Sequence, residues 1–438
     1  MGTGQELYKK ARRLIPGGTQ LLSKRPEMFL PDLWPSYYSR AKGVHVWDMD
    51  GVCYLDMSIM GIGANILGYA DDDVDNAVIE AIRKGSSSTL NCHEEVELAE
   101  LLVSMHPWAN MVRYTRSGGE AMAVGVRIAR AKTGRDLVAF SGYHGWHDWY
   151  LSANLADEKN LDGQLMPGLS PRGVPRGLKG TSIPFFFNDA EKLESIVKEH
   201  GPEIAAVVVE PARGEDAPDD FLRALKEITS RIGAVLIFDE ITSGFRMNPG
   251  GIHLRYGVNP DMAVFAKSIA NGYPMAAVIG IEEVMQAAQT TFISSTNWTE
   301  RIGPVAALAT IKKYCDNNVH LRIIETGNEV KNIWLRAAGE CGLAIKVSGL
   351  PTLAALSFDS PDNKILTTYF TQEMLERNIL GFRQFKAAWS HEPSHLFQYE
   401  TAVREVFALM AEGLKTGTLV SRLKTSPAHD GFFRLTKE

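Results

Sequence analysis

Four short apolar runs, at residues 137–140, 205–209, 234–238 and 262–266, constrain the fold more than any other feature of the chain. Each has the length of a strand and no polar alternation, and helical patterns such as 221–231 stand between some of them. A strand that is apolar on both faces must be covered on both sides, which is what parallel β-α-β units provide. The expected fold class is therefore α/β, with a large, mainly parallel sheet.

The two ends of the chain read differently. Residues 1–60 are rich in Pro and aromatics, with the turn-like Trp47-Asp48-Met49-Asp50-Gly51 between apolar segments, as in a small β-hairpin region. From 305 onward a helical pattern at 304–314 leads to a strand-like run at 353–358 and a helical one at 401–416, which fits a small α+β domain. The expected division is thus 1–60 as a segment joining the small domain, 61–304 as the large domain and 305–438 as the small one. A chain of 438 residues at about 150 per domain agrees with two or three such units. Residues 155–181, full of Gly, Pro and Leu without periodicity, read as a mobile flap near a site.

Charge and cysteine usage exclude several classes. Lys plus Arg number 46 against 52 Asp plus Glu, a formal charge of −6, so no basic excess advertises nucleic acid or an anionic membrane. Cys53, Cys92, Cys315 and Cys341 are widely separated, with no C-x-x-C pair, as expected of reduced thiols in a cytoplasm. The opening residues lack a signal-peptide core, and no run approaches the roughly 18 apolar residues of a membrane span.

Three local patterns carry chemistry. Arg116-Ser117-Gly118-Gly119-Glu120 opens a helical stretch that stops at Thr133-Gly134. Amides at such an entrance, with the positive end of the helix dipole, cradle a phosphate, although a Ser N-cap after a turn has the same appearance. Asp239-Glu240 emerges from an apolar strand, at the edge where open α/β sheets bind ligands. A carboxylate there can hold a proton on a ligand nitrogen, or equally serve a magnesium or ATPase site. Lys267 ends another apolar strand, where burial frees the amine to act as a nucleophile or Schiff-base former; a lysine snorkelling from a strand end is the alternative. A phosphate cradle, a strand-end Asp and a strand-end Lys together fit one cofactor, pyridoxal 5′-phosphate.

The ordered series Ser117-Gly118-Gly119-Glu120-Ala121, Tyr143-His144-Gly145, Glu210-Pro211, Asp239-Glu240-Ile241-x-x-Gly244-Phe245-Arg246 and Lys267-x-x-x-x-Gly272-x-Pro274 resembles the class III aminotransferases of fold type I, over nearly the whole chain. Within that class, Ile15-Pro16-Gly17-Gly18, Trp47-x-x-Asp50-Gly51-x-x-Tyr54 and the stretch Gly168-Leu169-Ser170-Pro171-Arg172-Gly173-Val174-Pro175 look most like the glutamate-1-semialdehyde 2,1-aminomutase group. The resemblance implies that Lys267 carries the Schiff base and shuttles the proton, and that Asp239 keeps the pyridine nitrogen protonated. It further implies that Gly118 and Gly119 give amides to the phosphate with Ser117 beside them, and that Tyr143 and Ile241 cover the two ring faces. Thr296, with Ser295 second, would contact the phosphate of a neighbouring subunit, which implies a homodimer. Glu210 either orients the site or closes a strand.

Departures from the aminomutase pattern fall on substrate positions. A substrate-binding Ser and Arg are replaced by Leu21 and Lys24, a Trp-Gly pair by Met60-Gly61, and a cofactor-contacting Asn by Glu215. Lys24 and Arg213 are the candidate substrate-carboxylate contacts, Arg213 reading equally well as a solvated arginine. His144 and His147, flanking Trp146, read as pocket-shaping residues rather than metal ligands. His391-Glu392-Pro393-Ser394-His395 satisfies a zinc-protease pattern, but Pro393 would break the helix that pattern needs; a loop with Pro393 near the start of a later helix is expected. Gly61-Ile62-Gly63 lacks the third glycine of a dinucleotide fingerprint and reads as a turn.

The expected activity is transfer of an amino group between an amino acid donor and an aldehyde or ketone acceptor. An intramolecular aminomutase is the alternative, and a non-catalytic binding protein that kept the fold is a third, disfavoured by Lys267.

Overall fold

The computed structural model describes residues 2–212, 214 and 216–432. They fall into two compact units, Asp72–His320 on one side and Met1–Asp71 with Leu321–Glu438 on the other. The dividing points lie later in the chain than 60 and 304. Helix Ile302–Asp316 packs on Asp72–Arg83 and on Glu94–Met105, which draws it into the larger unit.

The larger unit is built on seven strands: β1 (Met111–Thr115), β2 (Leu137–Ser141), β3 (Ser182–Pro184), β4 (Ile204–Val209), β5 (Val235–Asp239), β6 (Met262–Phe265) and β7 (Ala276–Gly280). Their order across the sheet is β1-β7-β6-β5-β4-β2-β3. Only β7 runs against its neighbours; the other pairings, β2 with β3 and β4, β4 with β5 and β5 with β6, are parallel. The four apolar runs are β2, β4, β5 and β6, and every residue in them is buried.

Alternation within the strands divides the core. Val138, Phe140, Ala206, Val208, Val235, Ile237 and Val264 face helix α1 (Gly118–Thr133), while Leu137, Ala139, Val207, Val209, Leu236 and Phe238 face helices Ala190–His200 and α2 (Asp219–Ile232). The common direction of every strand except β7 places their carboxyl ends at one edge, where the connecting loops gather. Helix α1 closes on Gly134 in the left-handed conformation (φ 67°), the terminator expected from Thr133-Gly134.

In the smaller unit the two chain ends share one sheet: Tyr38–Lys42, His45–Asp48 and Cys53–Met57 form an antiparallel run, and Cys53–Met57 pairs in parallel with Ile379–Gly381. A second sheet joins Ile345–Ser348, Leu353–Phe358 and Gln384–Lys386. Helix Pro393–Thr416 starts on Pro393, with Glu392 as its cap, so His391 lies outside the helix that the zinc pattern would require. Met60–Gly63 is a single turn with left-handed Gly61 and Ile62. Lys24 ends a short 3-10 turn, Leu22–Lys24, and is exposed. Among the described residues no helix is long and apolar enough to cross a membrane.

The stretch 155–181 is not a free flap along its length. Leu161 and Gln164 are buried, the Asn154 amide donates to Leu169 O at 2.6 Å and its carbonyl accepts from Leu161 N at 2.9 Å. Side-chain amides fasten its first half, whereas residues 171–173 and 175–177 are mostly exposed.

Phe140, with no exposed surface, sits against Tyr150 and Trp149 at ring separations of 5.1 and 6.2 Å. Phe140→Ala is expected to lower stability by about 3–5 kcal/mol, seen as a lower urea midpoint. Phe397→Ala, at a 74% exposed ring, should stay within about 0.5 kcal/mol.

Candidate active site

The carboxyl ends of β1, β2, β4, β5 and β6 deliver the candidate residues to one edge. Asp239 is the last residue of β5 and only 3% exposed. A carboxylate that far from water is costly unless its oxygens are engaged. Oδ1 accepts from Ile241 N at 3.0 Å, and Oδ2 lies 2.7 Å from His144 Nδ1. The other imidazole nitrogen, Nε2, is 3.1 Å from the carbonyl of Ser141, the last residue of β2. His144 is thus a buried strut between two strand ends, more than a wall of the pocket.

Lys267 follows β6 and adopts a left-handed backbone (φ 50°), unusual for a residue with a side chain. Its Nζ donates to Thr242 Oγ1 at 2.8 Å. Burial pushes the amine below the usual lysine range, while Asp239 and Glu210 act to raise it and Arg246 to lower it. The same electrostatic neighbourhood therefore contains Lys267, Asp239 and Glu210. Tyr143 joins them: burial, Asp239 and Glu210 push its phenol upward.

Tyr143 is held by its backbone and presents its ring. Tyr143 N donates to Glu210 Oε2 at 3.2 Å, Gly142 N to Gln164 Oε1 at 2.8 Å, and Tyr150 OH to Gly142 O at 3.1 Å. The residue remains 38% exposed. Gly142 has φ 119°, and a Cβ there would lie 2.5 Å from Glu210 Oε2, so glycine is required for this approach.

At the entrance of α1, Ser117 caps the helix in a closed box: Glu120 N donates to Ser117 Oγ, and Glu120 Oε2 accepts from Ser117 N at 2.9 Å. The Ser117 hydroxyl donates to that carboxylate too, at 3.0 Å. The capping and anion-cradle readings of this segment are therefore compatible, because the box uses Ser117 and Glu120 and leaves the entrance amides of Gly118 and Gly119 without intrahelical acceptors. A Cβ on Gly118 would come within 2.8 Å of Ile241 Cδ1, and one on Gly119 within 3.0 Å of His147 Cε1. The cradle, Ile241 and the Asp239 turn are in contact.

Ser295 and Thr296 lie on an exposed loop that leads into the turn Thr296–Thr299. Arginine side chains fix it: Arg113 donates to Ile293 O at 2.5 Å, and Arg116 to Trp298 O and Glu300 O at 2.8 Å each, with Nε 2.7 Å from Glu300 Oε1. Arg213 and Glu215 lie outside the described residues.

Sequence reasoning missed Thr242, Gln164 and the His144 strut. Thr242 stands between Ile241 and Gly244 in the strand-end motif, where a hydroxyl two or three residues beyond a buried Asp is the one signal available.

A family model described as "Aminotransferase class-III" matches residues 32–380. The 3-aminobutyryl-CoA aminotransferase of Cloacimonas acidaminovorans is 29% identical over 422 residues, covering 93% of this chain and 97% of that one. The glutamate-1-semialdehyde 2,1-aminomutase of Syntrophobacter fumaroxidans is 32% identical over 420 residues, covering 90% and 95%. Among solved structures, the FumI protein of Sphingopyxis sp. MTA144 superimposes with a TM-score of 0.86 at 23% identity, over 98% of this chain and 99% of that one, and so shares the fold. With a family match across most of its length, the chain belongs to the class III aminotransferases.

Proposed function

We propose that the chain is a pyridoxal 5′-phosphate-dependent aminotransferase that moves an amino group from an amino acid to an aldehyde or ketone, and that Lys267 is the residue bonding covalently to the cofactor. The observation that carries this reading is a lysine whose amine is pushed down by burial and a buried aspartate at the ends of adjacent parallel strands, beside a glycine-lined helix entrance. The residues fit the group: amides for a phosphate, a carboxylate for a ring nitrogen, and a desolvated amine for an aldehyde. When bound, pyridoxal phosphate supplies that aldehyde and a ring that accepts the electron pair left when a Cα proton departs.

Each of the chain's residues has a defined task. Gly118 and Gly119 donate their amides to the phosphate, aided by the helix dipole. Asp239, braced by His144, keeps a proton on the ring nitrogen. Tyr143 covers one ring face and Ile241 the other. Lys267 Nζ would carry a proton between the substrate carbon and the carbon on the other side of the transferred nitrogen, with Thr242 Oγ1 orienting the amine. Lys24 and Arg213 are the proposed contacts for a substrate carboxylate. The exposed Ser295–Thr296 loop supports a homodimer in which each subunit lends Thr296 to the other's phosphate. Four free thiols support a reducing, cytoplasmic setting.

The 32% identity to an aminomutase favours a second reading, rearrangement within one molecule. Against it stand Leu21, Lys24 and Met60 at the positions where the aminomutase pattern has Ser, Arg and Trp.

Purified protein supplied with pyridoxal phosphate should absorb in the visible, bleach with borohydride and lose both properties in Lys267→Ala; colourless wild-type protein would sink the account. Loaded with pyridoxamine phosphate and offered carbonyl acceptors, it should release the corresponding amine, whereas turnover of a single substrate with no second partner would establish the aminomutase instead. The neutral amine is the reactive form, so covalent attachment to apoprotein should speed up as pH rises and level off below the usual lysine value of 10.5. Glu210→Gln removes an upward influence on Lys267, so its plateau should begin at a lower pH, measured by stopped-flow absorbance. Light scattering should give twice the 48.3 kDa chain mass.

A further inference from the structure

Between Tyr143 and the short helix Asp148–Leu151, the chain turns hard against the entrance of α1. Gly145 has φ 102°, and a Cβ on it would lie 3.1 Å from Gly119 Cα. Two glycines, one on each side, permit this approach. It brings the His147 imidazole to the place a side chain at 119 would occupy, with Cε1 3.0 Å and Nδ1 3.1 Å from an ideal Cβ there. Trp146 stacks on the ring at 4.4 Å and 23°, which fixes its plane.

His147 Nδ1 is buried and has no hydrogen-bond partner among the described residues. A buried nitrogen in that condition is expensive, and a group of this kind calls for a specific explanation. The nearby carboxylate of Glu120 makes no hydrogen bond to it, and its Oε2 accepts from Arg116 N, Ser117 N and Ser117 Oγ. The nitrogen lies beside Gly119, in the first turn of a 16-residue helix, where an anion is favoured.

We propose that His147 is an additional phosphate-binding residue of this site, its Nδ1–H donating to the same anion that the Gly118 and Gly119 amides hold. The inference rests on the pyridoxal phosphate reading above. Burial pushes the imidazole below its usual value, with Glu120 and Asp148 acting to raise it. A neutral imidazole carries one proton, and an anion at the helix entrance selects the tautomer that places it on Nδ1. A phosphate monoester has enough acceptor oxygens for all three donors at once.

The test compares two aldehydes, pyridoxal 5′-phosphate and pyridoxal, on the apoprotein of wild type, His147→Leu and His147→Asn. The leucine has no donor, whereas the asparagine amide can reproduce one near Nδ1. His147→Leu should weaken pyridoxal phosphate about tenfold, a loss of about 1.4 kcal/mol, and leave pyridoxal within about twofold. His147→Asn should recover most of the difference, and the phosphorus resonance of the bound cofactor should move in the leucine variant alone. Equal losses for the two aldehydes, or no loss for the phosphorylated one, would overturn the role of His147 while leaving the cofactor reading intact. Failure of the wild type to take up either aldehyde would overturn the cofactor reading, and this inference with it. Should His147→Leu not fold, His147→Ala measured against the same pair gives the same ratio.

Discussion

Everything at the sheet edge depends on how the Asp239 carboxylate is kept out of water. A buried anion is tolerated when its oxygens are fully used, and here one oxygen takes the Ile241 amide and the other meets His144. Because the opposite side of the imidazole rests on Ser141 O, the pair spans from the end of β5 to the end of β2. Strand β4 lies between them, and its continuation, Glu210, reaches Tyr143 N. Three neighbouring strand ends are therefore cross-tied by side chains, and Tyr143 and Ile241 inherit their positions from those ties. A rigid parallel sheet makes this possible, since its strand ends cannot slide without disrupting a core in which both faces are packed.

The parts of this arrangement that were legible in the sequence were those written locally. Continuous apolar runs at 137–140, 205–209, 234–238 and 262–266 announce buried parallel strands because two-sided burial leaves no polar alternation. The glycines after Ser117 announce a helix entrance open to an anion. Asp239 and Lys267 were legible as polar residues ending apolar strands. What could not be read were contacts between elements distant in sequence: Thr242 with Lys267, Gln164 with Gly142, and Arg116 with Glu300 have no common period or spacing. The stretch 155–181 looked structureless for a related reason. Its anchors are the amides of Asn154 and Gln164, and an amide that substitutes for backbone pairing leaves no hydrophobic signature.

The small unit illustrates the same limit at the scale of topology. Cys53–Met57 and Ile379–Gly381 pair in register, Leu55 opposite Ile379, although more than three hundred residues separate them. The entropic cost of closing the long loop behind this pairing grows only slowly with its length. The chain can thus place its two ends in one sheet at modest cost, provided the intervening residues fold as a unit of their own, and Asp72–His320 does so around its own sheet.

A chain of net charge −6 at first looks poorly suited to a phosphate, and the immediate surroundings look worse: Glu120, Asp148, Glu210 and Asp239 all lie close to the entrance of α1 or to the residues beside it. The charges are not free to repel an anion equally, however. Glu120 is turned back into the cap, Glu210 toward the Tyr143 amide, and Asp239 toward His144 and the Ile241 amide. Those three carboxylates are engaged by donors on the protein side, Asp148 is exposed to solvent, and the entrance amides of Gly118 and Gly119 have no intrahelical acceptors. Charges on the far surface contribute little, since salt screens exposed charges beyond about 8–10 Å. The orientation of a few donors, more than the sum of charges, decides what such a pocket can hold, and that orientation is set by the glycines that let Gly145 and His147 approach α1 so closely.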